Sequence, residues 1–199
     1  MKKQSLETDQ AVRQLFFEYV SAGNQLSASC AAALWEIVCI RDYPKNHTLV
    51  RGGEYSDKLF FVIKGAMRAY FLQNDKDVTD WFALENSFIA AVVSFLGNVA
   101  SPHYLETIEP SQVLYVHRGD LEILCGRYHE LERLYRLHIA DTLLKLQQNI
   151  IAQRFKTAQE RYADLMILQP DLVNRVPLKH IATYLGISQE SLSRIRARI

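Results

Sequence analysis

Apolar residues recur near the start of the chain at Val12, Leu15, Phe16, Tyr19 and Val20, the spacing of a helix from Asp9 to about Ser21. Gly23-Asn24 interrupts that pattern, and Ser27 is placed to cap a second short helix through Ala31, Leu34, Trp35 and Val38. From about Cys39 to Val116 the period changes. Leu59-Phe60-Phe61-Val62-Ile63 and Ala66 to Leu72 are rich in aromatic and branched residues, with Lys64-Gly65 between them, and Val113 to Val116 is the last run of this kind. Gly52-Gly53 and Gln73-Asn74-Asp75 mark further turns, so this stretch predicts an antiparallel sandwich or barrel.

From Asp120 the pattern is helical again. Leu121, Leu124, Tyr128, Leu131, Leu134, Leu137, Ile139, Leu143, Leu146, Ile150 and Phe155 recur with no Gly or Pro after Gly126. A helix from Tyr128 to Phe155 would be about 40 Å long. Such a helix, with only a small barrel beside it, predicts pairing with a second copy; the alternative is a break near His138-Ile139 and a return onto the barrel. Thr157-Ala158-Gln159-Glu160 has the form of a capping box, which starts a new helix that Pro170 ends near Leu168. The capping box is the expected domain boundary.

Composition narrows the class. Of 199 residues, 49% are hydrophobic and 23% charged, enough apolar surface for a core and too much for disorder. No apolar run reaches the roughly 18–20 residues of a membrane span. The opening Met1-Lys2-Lys3-Gln4-Ser5-Leu6-Glu7 turns acidic without an apolar stretch, so no secretory signal is expected and a cytoplasmic protein is. Cys30, Cys39 and Cys125 form no C-x-x-C pair, which argues against a disulfide framework or a structural zinc. The net charge of +1 hides a division: residues 1–153 carry 15 Lys and Arg against 18 Asp and Glu, and residues 154–199 carry 8 against 4. An acidic body with a basic end suits a phosphate backbone as partner.

That basic end holds the most specific pattern, Leu178 to Arg196. Ala182 is small where two helices would cross, Gly186 permits the left-handed turn, and Ser188 can cap the second helix. Ile181, Leu185, Ile187, Leu192 and Ile195 supply a shared core. The outer face reads Gln189, Glu190, Ser191, Ser193, Arg194 and Arg198, side chains able to meet base edges and phosphates of double-stranded DNA. An ordinary helical hairpin would account for the apolar positions but not for the Ala, Gly, Ser and polar face together.

This end resembles the DNA-binding module of the Crp/Fnr regulators, and Leu49 to Arg68 resembles the glycine-punctuated hairpins of that family's cyclic-nucleotide-binding barrel. The resemblance covers nearly the whole chain. It implies an α+β fold: a double-stranded β-helix (jelly roll) sensor with N-terminal helices over 1–126, a dimerisation helix over 127–155, and a winged-helix-type reader over 156–199. By position, Gln189, Glu190 and Arg194 fall where the family reads bases; Lys179, Ser188 and Ser191 would anchor phosphates. Gln189 stands where members often carry Arg, which implies a different operator, since Gln pairs bidentately with adenine. Relatives continue into a β-hairpin wing, whereas this sequence stops at Ile199: either the wing is short or absent, or the sequence is cut off before it.

Other parts of the family pattern fail. Nucleotide-binding relatives hold the cyclic phosphate with Phe-Gly-Glu and a later Arg-Ser or Arg-Thr; here those segments fall at Phe88-Ile89-Ala90 and about Ser101-Pro102, without the carboxylate or guanidinium. An unneutralised buried phosphate costs several kcal/mol, so cyclic AMP and cyclic GMP are not expected ligands. Phe82, Phe88, Ser101, His103 and Tyr104 are the candidates for some other effector site, with Phe95 as a further lining residue and Arg68 as a second cation beside His103; alternatively these are barrel-filling or rim residues. Cys30 and Cys39 make no cluster for iron–sulfur, and the six histidines are scattered, so no cofactor or metal is expected. A cupin-type metalloenzyme, the non-regulatory alternative, needs an H-x-H pair the sequence lacks. The expectation is a homodimeric regulator responding to an unknown effector or acting constitutively, its two readers about 34 Å apart on a palindrome. Activation would add RNA polymerase as a partner, and no residue pattern marks a patch for it.

Overall fold

The computed structural model describes residues 2–21 and 26–198, so the break expected at Gly23-Asn24 lies outside the described residues. Two helices lead, α1 (Lys2–Val20) and α2 (Ala28–Glu36). Ser27 caps α2 by accepting from the Cys30 N–H at 3.2 Å. Helix α1 starts seven residues before the expected start at Asp9.

Eight strands follow: β1 (Cys39–Tyr43), β2 (Thr48–Val50), β3 (Lys58–Lys64), β4 (Met67–Gln73), β5 (Lys76–Ala83), β6 (Ser87–Ala90), β7 (Tyr104–Thr107) and β8 (Ser111–His117). They form two antiparallel sheets, ordered β1-β8-β3-β6 and β2-β7-β4-β5, the jelly roll expected from the sequence. A tight turn joins β4 to β5. Asn74 and Asp75 both take positive φ, 51° and 59°, as a two-residue type I′ hairpin requires. Gly65 has φ 103°, and a Cβ there would lie 2.7 Å from the Ser111 Cα, so the β3–β4 turn needs glycine.

The first sheet is covered on both faces. Between the sheets Phe60, Val62, Ile89, Val113 and Tyr115 of the first meet Val50, Met67, Ala69 and Leu105 of the second. Phe61, Ile63, Leu114 and Val116 point the opposite way, as the two-residue strand period demands, and pack under Val12 and Phe16 of α1 and Leu34 of α2. A short α3 (Val92–Gly97) lies between β6 and β7, and α4 (Arg118–Arg127) follows β8. Tyr128, with φ −123° and ψ 99°, separates α4 from α5 (His129–Phe155). Helix α5 runs unbroken through His138-Ile139 for 27 residues, about 40 Å. Leu131 and Leu134 anchor its first turns on the barrel.

Beyond it come α6 (Ala158–Leu168), α7 (Pro170–Arg175), α8 (Leu178–Tyr184) and α9 (Gln189–Arg196). The capping box is complete: Glu160 N–H donates to Thr157 Oγ1 at 3.3 Å and Thr157 N–H to the Glu160 carboxylate at 2.7 Å. Pro170 begins α7, where its missing N–H costs nothing. Tyr162, Leu165, Leu172, Ile181, Leu185 and Leu192 share one core, and Ala66 and Ile108 of the barrel enter it. The C-terminal helices are therefore seated on the barrel.

Candidate nucleic-acid interface

Helix α8 ends in a closed turn built by its sequence. Gly186, at φ 67°, donates its N–H to the Thr183 carbonyl (3.1 Å), and Ile187 donates to Ala182 (3.0 Å), the pair of bonds that defines a Schellman motif. Arg161 of α6 buttresses the turn by donating to the Leu185 carbonyl at 2.6 Å. Ser188 then takes extended angles and accepts from the Ser191 N–H at 3.2 Å, opening α9. Leu192, Ile181 and Ala182 are fully buried at the crossing of α8 and α9. The two helices and their turn form a helix-turn-helix.

Helix α9 turns two rows of polar side chains outward. Gln189, Ser193 and Arg196 follow one another at helical spacing, and Glu190 and Arg194 stand beside them. All five are exposed, as are Lys179, Ser188 and Arg198, while Ser191 is half-buried and accepts from Arg194 at 3.1 Å. The Ser188 hydroxyl holds the Glu190 carboxyl below its ordinary pKa, with Arg194 adding to the effect, so Glu190 is an acceptor only. Arg196 is an exposed cation of this face that the sequence-based site set leaves out; its place one turn beyond Ser193 is the signal that marks it.

Helix α8 lies against the outer face of the second sheet. Tyr184 packs edge-on to Phe82 of β5 with centroids 5.2 Å apart, and the Thr79 N–H donates to Thr183 Oγ1 at 3.2 Å. Burial raises the Tyr184 phenol pKa against an opposing hydrogen bond with Asn149 of α5. Arg68 of β4 is not at the barrel rim: it is 3% exposed and paired with Asp77 and Glu106 at 2.7 and 3.2 Å. Arg175 of α7 grips Glu85 through two 2.7 Å bonds and also pairs with Glu109.

The five effector-site candidates do not share one cavity. A cleft of about 890 Å³ opens between the barrel, α5 and the reader; Tyr19, Phe88, Leu134, His138, Thr142 and Tyr184 line it, and Phe82 borders it. Phe88 faces outward from the first sheet into this cleft, edge-on to His138 at 5.2 Å, and burial lowers the His138 pKa. A second cavity, about 140 Å³, lies where β6 and α3 meet α5, lined by Phe88, Ile89, Ala90 and His103. His103 pairs there with Asp80 at 3.2 Å. Ser101 and Tyr104 line neither space. The Ser101 hydroxyl is spent on His103, donating to its carbonyl and accepting from its N–H. Tyr104 stacks on Tyr70 at 5.0 Å over Gly52, whose missing Cβ makes room for the ring. Phe95 is buried in the layer between the first sheet and the helices. Among the described residues no three His, Cys, Asp or Glu side chains converge as a metal site, and no helix is long and apolar enough to cross a membrane.

No curated protein matches the sequence. Residues 40–128 match the cyclic nucleotide-binding domain family. Among solved structures, FixK2 from Bradyrhizobium japonicum is similar over 81% of this chain and 84% of its own, with a TM-score of 0.70 and 21% identity. A Crp/Fnr-family transcriptional regulator from Eubacterium rectale covers 87% and 83%, with TM-score 0.67 and 13% identity. The catabolite activator protein of Thermus thermophilus covers 90% and 85%, with TM-score 0.57 and 17% identity. Residues 40–128 are thus similar to the cyclic nucleotide-binding domain family, and the barrel, the long helix and the helix-turn-helix together have the fold of these solved structures.

Proposed function

We propose that this chain is a cytoplasmic, sequence-specific DNA-binding transcription regulator that acts as a homodimer and does not respond to cyclic AMP or cyclic GMP. The observation that carries this reading is the Ser188-capped α9, whose polar face is exposed while its apolar face is locked into α8. Gln189, Glu190 and Arg194 read base edges, and Lys179, Ser188, Ser191, Ser193 and Arg198 meet the backbone. Residues 127–155 pair the protomers. Leu137, Leu144 and Ile151 repeat every seven residues along α5, with Leu143 and Ile150 beside them, and all five are exposed in the single chain.

The smaller cavity supports the exclusion of cyclic nucleotides. It holds about 140 Å³, against the roughly 300 Å³ at which small-molecule pockets begin. Its one histidine is already paired with Asp80. A cyclic phosphate placed there would be cramped and unneutralised.

The test is selection of bound DNA from a random pool by the wild type, Gln189→Ala and Arg194→Ala. A two-fold symmetric motif is expected, with affinity falling 5- to 150-fold, about 1–3 kcal/mol per lost base contact, and preference relaxing at the contacted position. No enrichment by the wild type at low salt, or variants that select the same motif with the same affinity, would overturn the reading.

A further inference from the structure

The contact between barrel and reader is charged at its centre, where Arg68 and His180 are buried and Asp77 is partly exposed. The Arg68 guanidinium lies 4.1 Å over the Tyr70 ring. Its Nη1 is 2.7 Å from the Asp77 carboxylate, 3.2 Å from Thr79 Oγ1 and 2.6 Å from Nδ1 of His180 on α8; its Nη2 reaches Glu106. Because an arginine can only donate, His180 must present an unprotonated Nδ1, with its proton on Nε2. Arg68 of β4, Asp77 of β5 (3.5 Å from Nδ1) and the adjacent Lys179 are the charged groups around that ring, with Glu106 of β7 behind Arg68. Burial foremost, then Arg68 and Lys179, keep the imidazole neutral at physiological pH, so the acceptor is always available. Thr183, one turn along α8, continues the contact by accepting from the Thr79 N–H.

We propose that Arg68 and His180 are positioning residues for DNA reading: they fix α8 on the barrel, and through the Gly186 turn they fix the attitude of α9. The proposal rests on the DNA-reading function above. Two readers on one dimer gain from binding together only while their separation and tilt match the two half-sites. A reader held by buried, directional bonds meets that condition before DNA arrives. A loose reader keeps its affinity for one half-site and loses the joint gain.

The experiment compares wild type, His180→Leu and His180→Asn. Leucine fills the space without an acceptor, and the Asn side-chain oxygen can stand near the place of Nδ1. Binding is measured to the selected palindrome, to one half-site, and to palindromes with the spacing changed by one base pair, alongside hydrogen exchange of the Thr79 amide. His180→Leu is expected to lose at least about tenfold in affinity for the full site, to keep wild-type half-site affinity, to discriminate spacing less, and to exchange the Thr79 amide at least about tenfold faster. His180→Asn restores all four. Unchanged full-site affinity and spacing preference in His180→Leu, or an equal fall on full and half-sites, would overturn the proposal. If the wild type binds no DNA, the DNA-reading function fails with it, whereas the exchange rates still decide whether the contact holds the reader.

Discussion

Glu85 ties the barrel to the reader at a second point, and its replacement by glutamine gives a pH-resolved test of that tie. Its two oxygens accept from Arg175 Nη1 and Nη2, each at 2.7 Å, and one also accepts from the Gly65 N–H at 2.8 Å. Arg175 foremost, and then Gly65, pull the carboxyl down to about 2 from 4.5, against the opposing effect of burial. At about 1.4 kcal/mol per unit, that shift is about 3 kcal/mol. Both side chains are about a third exposed, 29% and 33%, so solvent screening reduces the expected contribution to about 1–2 kcal/mol. Because the folded pKa is depressed, the stabilisation is complete above about pH 4.5 and is lost as pH falls toward 2. Urea unfolding of wild type and Glu85→Gln should therefore show a gap of about 1–2 kcal/mol at pH 7 that shrinks to less than about half by pH 3. A gap of the same size at both pH values would show that the loss comes from packing or a neutral hydrogen bond, and would refute the ionic account.

Two further outcomes follow from local structure. Ser188→Ala removes the acceptor for the Ser191 N–H at the start of α9; it should cost about 1 kcal/mol of stability and lower DNA affinity, read by thermal unfolding and a binding titration, and an unchanged Tm would mean the cap contributes nothing. Leu144→Asp places a charge in the exposed stripe of α5, where Leu144 is 62% accessible in the single chain; light scattering should report a monomer with wild-type circular dichroism, and a persisting dimer would move the pairing surface off α5.

What the sequence disclosed follows the range of the forces involved. The helix-turn-helix was legible because its determinants, the Gly186 turn and the Ser188 cap, act within ten residues of each other. The jelly roll was legible as a class, yet the face of each strand was not. In a run such as Leu59 to Ile63 both faces are apolar, and a one-residue step in register reverses every side chain. That is why Phe88, read as a barrel-lining aromatic, faces outward to α5, while its neighbour Ile89 fills the space between the sheets. Arg68 was the least legible. It sits in an apolar strand like a rim residue, and its partners Asp77, Glu106 and His180 come from three other elements, the last of them 112 positions away. Distant charges leave no periodicity to read.

The basic excess of the last 46 residues also divides once the fold is known. A cation already held by a carboxylate or carbonyl gives up those bonds to meet a phosphate, whereas an unpaired exposed cation gives up only water. Arg175 is committed to Glu85 and Glu109, Arg161 to the carbonyls of Lys156 and Leu185, and Lys156 to Asp164. Arg154 is exposed at the end of α5, and Lys179, Arg194, Arg196 and Arg198 are exposed on the helix-turn-helix. The fold thus ties up part of the C-terminal charge, Arg175 on the barrel and Arg161 and Lys156 within the C-terminal segment itself, and leaves the helix-turn-helix cations beside Gln189 and Glu190. On the proposed function, counterion release and the salt dependence of binding come from these four cations in each protomer. Sequence discrimination comes from the side chains between them, whose geometry is only as fixed as the seat of α8 on the second sheet.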